Sequence, residues 1–195
     1  MIGIMHTYVP RHVASALLIP LLFGCVSISG AASRSTANLD DLPQDALRRI
    51  ASEIEREVMA GNRDASFTNS AEVTIDDPAI LHAIRTRAVR SELVLDFLLT
   101  GHAWERQDGR IWVLHSKEYK KAGNSRDKDR NAVVVMSENE NRWTLYEGIA
   151  KQNGWSRRSL SAVEKIFFEE RLKLLAPGIK YEDDEGEVAR TGGAD

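Results

Sequence analysis

Apolar side chains recur at helical spacing between Glu138 and Gly154, which predicts an amphipathic helix. The apolar face is expected to carry these residues: Asn139, Trp143, Tyr146, Ile149 and Ala150. Two acid-before-base pairs at i, i+4 spacing are expected on the solvated face: Glu138 with Arg142, and Glu147 with Lys151. A buried amide needs hydrogen-bond partners, so Asn139 should reach the backbone of a neighbouring loop or hairpin.

Three further segments have helical periodicity, and two of them begin with an N-cap aspartate followed by a proline in the first turn. They run from Pro43 to Ala60, from Pro78 to Gly101, and from Ser156 or Ser159 to Pro177. Residues 117–131 are highly charged, with a Gly-Asn pair at their middle, and are predicted to form a mobile loop. Residues 132–136 should form either the first turns of the central helix or a short strand.

Asp108-Gly109 lies between two short segments and predicts a β-hairpin with a two-residue type I′ turn. That turn would pair Gln107 with Arg110, Arg106 with Ile111, Glu105 with Trp112, Trp104 with Val113 and His102 with His115. Trp104, Ile111 and Val113 would then pack on the helices. The predicted fold is α+β, mostly α, with about four amphipathic helices and one β-hairpin. Residues 183–195 are predicted to be an acidic disordered tail, with a second hairpin around Glu185-Gly186 as the alternative.

The first 25 residues contain an apolar run, VASALLIPLLFG, that ends at Cys25 and is typical of a signal peptide. Leu22-Phe23-Gly24-Cys25 resembles a bacterial lipobox, which implies lipidation (palmitate and related acyl chains) at Cys25. The alternatives are secretory cleavage near residues 29–31 and an uncleaved start. Residues 26–38 are small and polar, as in a flexible tether, and residues 39–182 should form the folded domain. Val26-Ser27 lacks the aspartate that, by resemblance to enteric lipoproteins, signals retention in the inner membrane. The resemblance therefore implies an outer-membrane lipoprotein that faces the periplasm, with a soluble periplasmic protein as the alternative.

Composition and charge restrict the classes of function and the stabilising features that the chain can have. Apolar residues make up 43% of the chain, enough for a core, and the formal net charge of −3 argues against nucleic-acid binding. Cys25 is the only cysteine, so no internal disulfide is expected.

No pattern in the sequence predicts catalytic residues, a metal site or a cofactor. His102 and His115 would be neighbours in the predicted hairpin, but two imidazoles without further ligands do not make a zinc site. No Gly-x-Ser-x-Gly elbow or Gly-rich phosphate loop is present. Five residues are candidates for partner binding: Trp112, Asn139, Arg142, Tyr146 and Trp155.

Several short motifs lie along the second half of the chain: Asp108-Gly109, Glu138-Asn139, Asn141-Arg142, Tyr146, Ile149-Ala150, Gly154 and Ala176-Pro177-Gly178. Together they resemble the YdbL family of small exported bacterial envelope proteins. The resemblance covers roughly residues 77–187. It implies a non-enzymatic accessory or chaperone-like factor that binds an envelope protein, with an AsmA-like lipid-transport assembly as one such partner. An envelope hydrolase and a direct lipid-binding protein are the alternatives.

Overall fold

The computed structural model describes residues 42–114, 117–121 and 124–192. Its helices are α1 (Gln44–Met59), α2 (Pro78–Leu99), α3 (Lys117–Lys121), α4 (Ser125–Gln152) and α5 (Leu160–Leu172), with a 3₁₀ turn at Arg157–Ser159. Its strands are β1 (Ala103–Glu105), β2 (Ile111–Val113), β3 (Lys180–Glu182) and β4 (Val188–Arg190). The prediction of an α+β, mostly helical fold is confirmed.

The predicted limits of α1 and α2 agree with the structure because their end signals are local. Asp77 caps α2 by accepting a hydrogen bond from the Ala79 amide at 2.7 Å, and Pro78 occupies its first turn. Gly61 and Gly101 follow the two helices with φ of 70° each, a conformation that glycine adopts at little cost.

The charged segment after α3 is helical, so the predicted loop over residues 117–131 is wrong. Asn124 caps α4, and its side-chain oxygen accepts a hydrogen bond from the Asp127 amide at 3.0 Å. Residues 125–131 are charged or polar but are compatible with a solvated helix, because Lys and Arg have high helix propensity and Asp127 lies in the first turn, where a negative charge is favoured. The high charge of residues 125–131 therefore indicates that their side chains are exposed to solvent, and does not indicate a loop.

The four strands form one mixed sheet in the order β2-β1-β3-β4. Within each hairpin the strands are antiparallel, and β1 pairs with β3 in parallel. The second hairpin is therefore present, and the predicted disordered tail is wrong as far as residue 192. The predicted domain boundary at residue 182 cuts through this hairpin, in which the Asp183 amide donates to the Glu187 carbonyl at 2.9 Å.

The first hairpin is present, but its predicted register is wrong by one residue. The observed pairs are Ala103 with Val113, Trp104 with Trp112 and Glu105 with Ile111. Gly109 has a φ of 73°, and no residue other than glycine has a positive φ in the described part of the chain, so Asp108 does not adopt the left-handed conformation that a type I′ turn requires.

The shift in register changes which side chains of β1 face the helices, whereas Ile111 and Val113 of β2 pack into the core as predicted. Glu105 points inward and is completely buried, while Trp104 lies with Trp112 on the other face. The predicted pairing of His102 with His115 involves a residue outside the described part of the chain.

Two apolar clusters form the core. The larger joins α1, the first half of α2, the second half of α4 and α5, and the smaller joins the end of α2 with the first hairpin and part of α4. On α2, Ile84 belongs to the larger cluster and Val94 to the smaller, and Arg87 lies between them in sequence. Buried charged residues therefore occupy the junction between the two clusters.

Candidate functional site

Six charged side chains meet in the interior, and each is at most 2% exposed. They are Glu55, Arg87, Glu105, Glu138, Arg142 and Arg171. Arginine and glutamate alternate in a closed cycle, which we call the buried ring. It joins α1, α2, β1, α4 and α5, so four of the five described helices and one strand of the first hairpin each contribute at least one charge.

Arg87 of α2 connects α1 to α4. Its Nη1 and Nη2 each donate to one carboxylate oxygen of Glu55 at 2.9 Å, and its Nε donates to Glu138 Oε1 at 2.9 Å. The two parallel bonds to Glu55 match the planar guanidinium to the planar carboxylate, the geometry that makes an arginine-carboxylate pair strong.

Arg142 of α4 connects that helix to the first hairpin. Its Nη1 and Nη2 donate to the two oxygens of Glu105 at 2.7 and 3.0 Å, and its Nε donates to Glu138 Oε1 at 2.8 Å. Nη1 also donates to the Gly109 carbonyl at 3.0 Å. The hairpin turn is thereby fixed to α4.

Arg171 of α5 closes the ring. Its Nε and Nη2 donate to the two oxygens of Glu55 at 3.0 Å each, and its Nη1 donates to Glu105 Oε2 at 3.0 Å. The Tyr146 hydroxyl accepts from Arg171 Nη2 at 2.6 Å and donates to the Gly109 carbonyl at 3.3 Å. Tyr146 thus connects the ring to the same turn that Arg142 holds.

The mutual contacts keep Glu55 and Glu138 ionised. Burial alone would raise the pKa of Glu55, but Arg171 and Arg87 outweigh it and hold the pKa well below its ordinary range. For Glu138, Arg87 and Arg142 likewise outweigh burial and lower the pKa to about 2. Neither carboxyl titrates near neutral pH, so these two groups are unsuited to general acid-base chemistry at that pH.

A small cavity adjoins the ring between α1, α2 and β1. Its volume is about 20 Å³, which is room for one water molecule and too little for an acyl chain. Glu138 Oε2 and Arg90 Nη1 are buried 3.5 Å apart, and neither has a hydrogen-bond partner among the described residues.

The structure places the predicted partner-binding residues in different environments. Arg142 and Tyr146 are buried in the ring, so the predicted pair of Glu138 and Arg142 exists but lies inside the protein instead of on the solvated face. These two residues are not available to a partner. Trp155 is half-buried against the larger apolar cluster, whereas Trp112 is 49% exposed.

Asn139 connects α4 to the edge strand β2. The sequence predicted that its amide would bond the backbone of a neighbouring loop or hairpin, and the structure shows such a contact. Its side-chain oxygen accepts from the Ile111 amide at 2.8 Å, and its side-chain nitrogen donates to the Ile111 carbonyl at 2.9 Å. One amide side chain therefore satisfies both outward-facing groups of an edge residue, which a neighbouring strand would otherwise satisfy.

One carboxyl outside the ring titrates near neutrality. Burial, and then the negative charge of Asp108, raise the pKa of Glu164 to about 7, while Arg110 opposes the shift. In the described part of the chain no three His, Cys, Asp or Glu side chains are grouped so as to hold a metal ion.

Comparison with family models, with curated proteins and with solved structures finds no match to this chain. Within the described residues, no helix combines the length and the apolar character needed to cross a membrane. Cys25, the predicted lipidation site, lies outside the described residues.

Proposed function

We propose that this protein is a non-enzymatic, periplasm-facing lipoprotein that binds a protein partner of an envelope assembly. The apolar leader that ends at Cys25 supports the membrane anchor. The resemblance to the YdbL family suggests an AsmA-like lipid-transport assembly as the partner. An exposed apolar surface on the folded domain is the observation that carries the binding role.

That surface, which we call the hairpin face, consists of Trp112 on β2 with Val133 and Met136 on α4. Val133 is 62% exposed and Met136 is 70% exposed. Met136 lies one helical turn before Asn139, and Trp112 directly follows Ile111, the residue that Asn139 binds. Tryptophan and methionine are enriched at protein interfaces relative to the rest of the protein surface.

The buried ring gives the hairpin face a rigid support. Arg142 fixes the hairpin turn to α4 through both Glu105 and the Gly109 carbonyl. A surface that does not reorganise on binding loses less conformational entropy, which favours affinity. In this proposal Arg142, Tyr146 and Asn139 position the face, and Trp112 contacts the partner.

The two alternative functions receive less support. A lipid carrier needs an enclosed apolar space for acyl chains, and the cavity beside the ring is about 20 Å³. A larger cleft of about 910 Å³ between the end of α1 and α2 is open to solvent and is lined in part by Arg63, Glu92 and Asp96. A hydrolase site at His102 would need a nearby acid, whereas the ring of His102 packs at 5.3 Å from that of Tyr119 and at 6.3 Å from that of Phe97.

A photo-crosslinking amino acid at Met136 of the full chain, introduced in intact cells, tests the binding role. We expect adducts with an envelope protein, identified by mass spectrometry, because Met136 is 70% exposed, the highest value among the large apolar side chains of the described residues. The matched control is the same probe at Lys151, an exposed residue near the other end of α4. Equal adduct patterns at the two positions, or no envelope protein above background at Met136, would contradict the proposal.

Replacing Cys25 by serine tests the anchor. A lipidated cysteine carries acyl chains that each contribute roughly 0.8 kcal/mol per buried methylene, so their loss should move the protein from the membrane to the soluble fraction. The measurement is fractionation of cells that produce the full chain or its Cys25→Ser variant. Unchanged membrane association of the variant would exclude lipidation as the anchor.

A further inference from the structure

The outward face of α2 carries charged and apolar residues in a regular order. Six of its exposed residues form a stripe along the helix: His82, Arg85, Val89, Glu92, Leu93 and Asp96. Val89 is 63% exposed and Leu93 is 53% exposed, so the centre of the stripe is apolar. His82 and Arg85 precede this centre in sequence. Glu92 lies next to Leu93, and Asp96 follows it.

The acidic end of this stripe is unfavourable for α2 alone. The helix has no basic residue in its last turn, where one would interact favourably with the helix dipole. Asp96 lies instead in the last turn, and Glu92 is placed four residues before it, a spacing at which like charges repel. Arg85, Glu92 and Asp96 form no ion pair with the described residues of their own chain.

We propose that a second copy of this chain binds here, with the two α2 helices antiparallel and a twofold axis near Val89. In that arrangement Arg85 of each copy faces Leu93 of the other and lies beside Glu92 and Asp96. His82 then faces Asp96, and the two Val89 side chains meet at the axis.

The stripe is complementary to itself, which selects a second copy over an unrelated protein. A twofold interface brings the same surface of both molecules together, so one half must complement the other half. Arg85 before the centre and Glu92 and Asp96 after it meet this requirement. A single helix pair buries less surface than a standard interface, so the dimer is expected to be weak and to depend on ionic strength.

Crosslinking of the full chain tests the position of the axis. The Val89→Cys variant should form a disulfide-linked dimer under mild oxidation, visible on a non-reducing gel, because the two cysteines would meet at the axis. Wild type controls for Cys25, and Lys151→Cys controls for random collision of an exposed thiol. A dimer yield for Val89→Cys no higher than that for Lys151→Cys would overturn the proposal.

A charge reversal and its compensation test the identity of the partner. Arg85→Glu in the Val89→Cys background should lower the dimer yield on the order of tenfold, because acidic residues would then face one another. Adding Glu92→Arg and Asp96→Arg should restore the yield, since the opposite charges meet again in exchanged positions. Failure of this compensation, with circular dichroism showing that all variants are folded, would exclude the antiparallel α2 pair. Neither variant alters the hairpin face, so this result is independent of the crosslinking at Met136.

Discussion

Replacing Arg171 by methionine should destabilise the fold by about 3–5 kcal/mol. Without this guanidinium, Glu55 keeps its two bonds to Arg87 and Glu105 keeps its two bonds to Arg142. The ring then holds three carboxylates and two guanidiniums, and Glu55 and Glu105 each lose a buried charged partner. The midpoint of urea unfolding, followed by tryptophan fluorescence, measures the loss.

Two comparison variants distinguish the contribution of the buried ring to stability from that of a half-exposed ion pair. Arg48 bonds Glu169 at 2.6 Å but is 32% exposed, so Arg48→Met should cost only about 0–1 kcal/mol. Removing Glu55 together with Arg171, both to methionine, leaves two charges of each sign and should cost less than the sum of the two single changes. A cost for Arg171→Met as small as that for Arg48→Met would show that the ring does not stabilise the fold.

The sequence predicted the helices better than it predicted the ring. The stripe of Leu47, Ile54 and Val58 on α1 and the cap at Asp77 depend on nearby residues alone. The pairing of Glu138 with Arg142 is also local and was predicted, but their burial depends on Arg87 and Glu105, which belong to other elements. A charged residue is solvated far more often than it is buried, so Glu138 and Arg142 were predicted on the solvated face of α4 instead of the buried one.

A signal for the ring was nevertheless present. Glu55 lies four residues after Ala51 and Arg171 four residues after Phe167, so each continues the apolar stripe of its helix. Opposite charges on the apolar stripes of different helices indicate a buried pair if those helices pack together. Which helices pack together is not visible in a single sequence.

The error in the hairpin register has the same origin. Asp108-Gly109 favours a type I′ turn locally, but that turn would have directed Glu105 away from the helices and left Arg142 and Arg171 without their shared carboxylate. Glu105 accepts hydrogen bonds from both buried guanidiniums, and the loss of these contacts costs more than a preference between turn types. The interactions of the ring therefore agree with the observed register and oppose the predicted one.

The same turn supplies the second large effect, since Gly109→Ala should destabilise the fold by about 2–4 kcal/mol. Gly109 has a φ of 73°, which costs alanine about 1–2 kcal/mol. An added Cβ would also lie 2.7 Å from Cε2 of Tyr146. The ring of Tyr146 cannot easily move aside, because its hydroxyl bonds both Arg171 and the Gly109 carbonyl.

Gly154→Ala is the matched control for this effect. Gly154 has a φ of 68° and no atom within 4 Å of its added Cβ, so only the backbone cost of about 1–2 kcal/mol is expected. The difference between the two unfolding free energies measures the contact between the turn and Tyr146. Equal destabilisation by the two substitutions would mean that the hairpin turn can move away from Tyr146 without a cost in free energy. In that case Tyr146 and the buried ring would not hold the hairpin rigidly on α4.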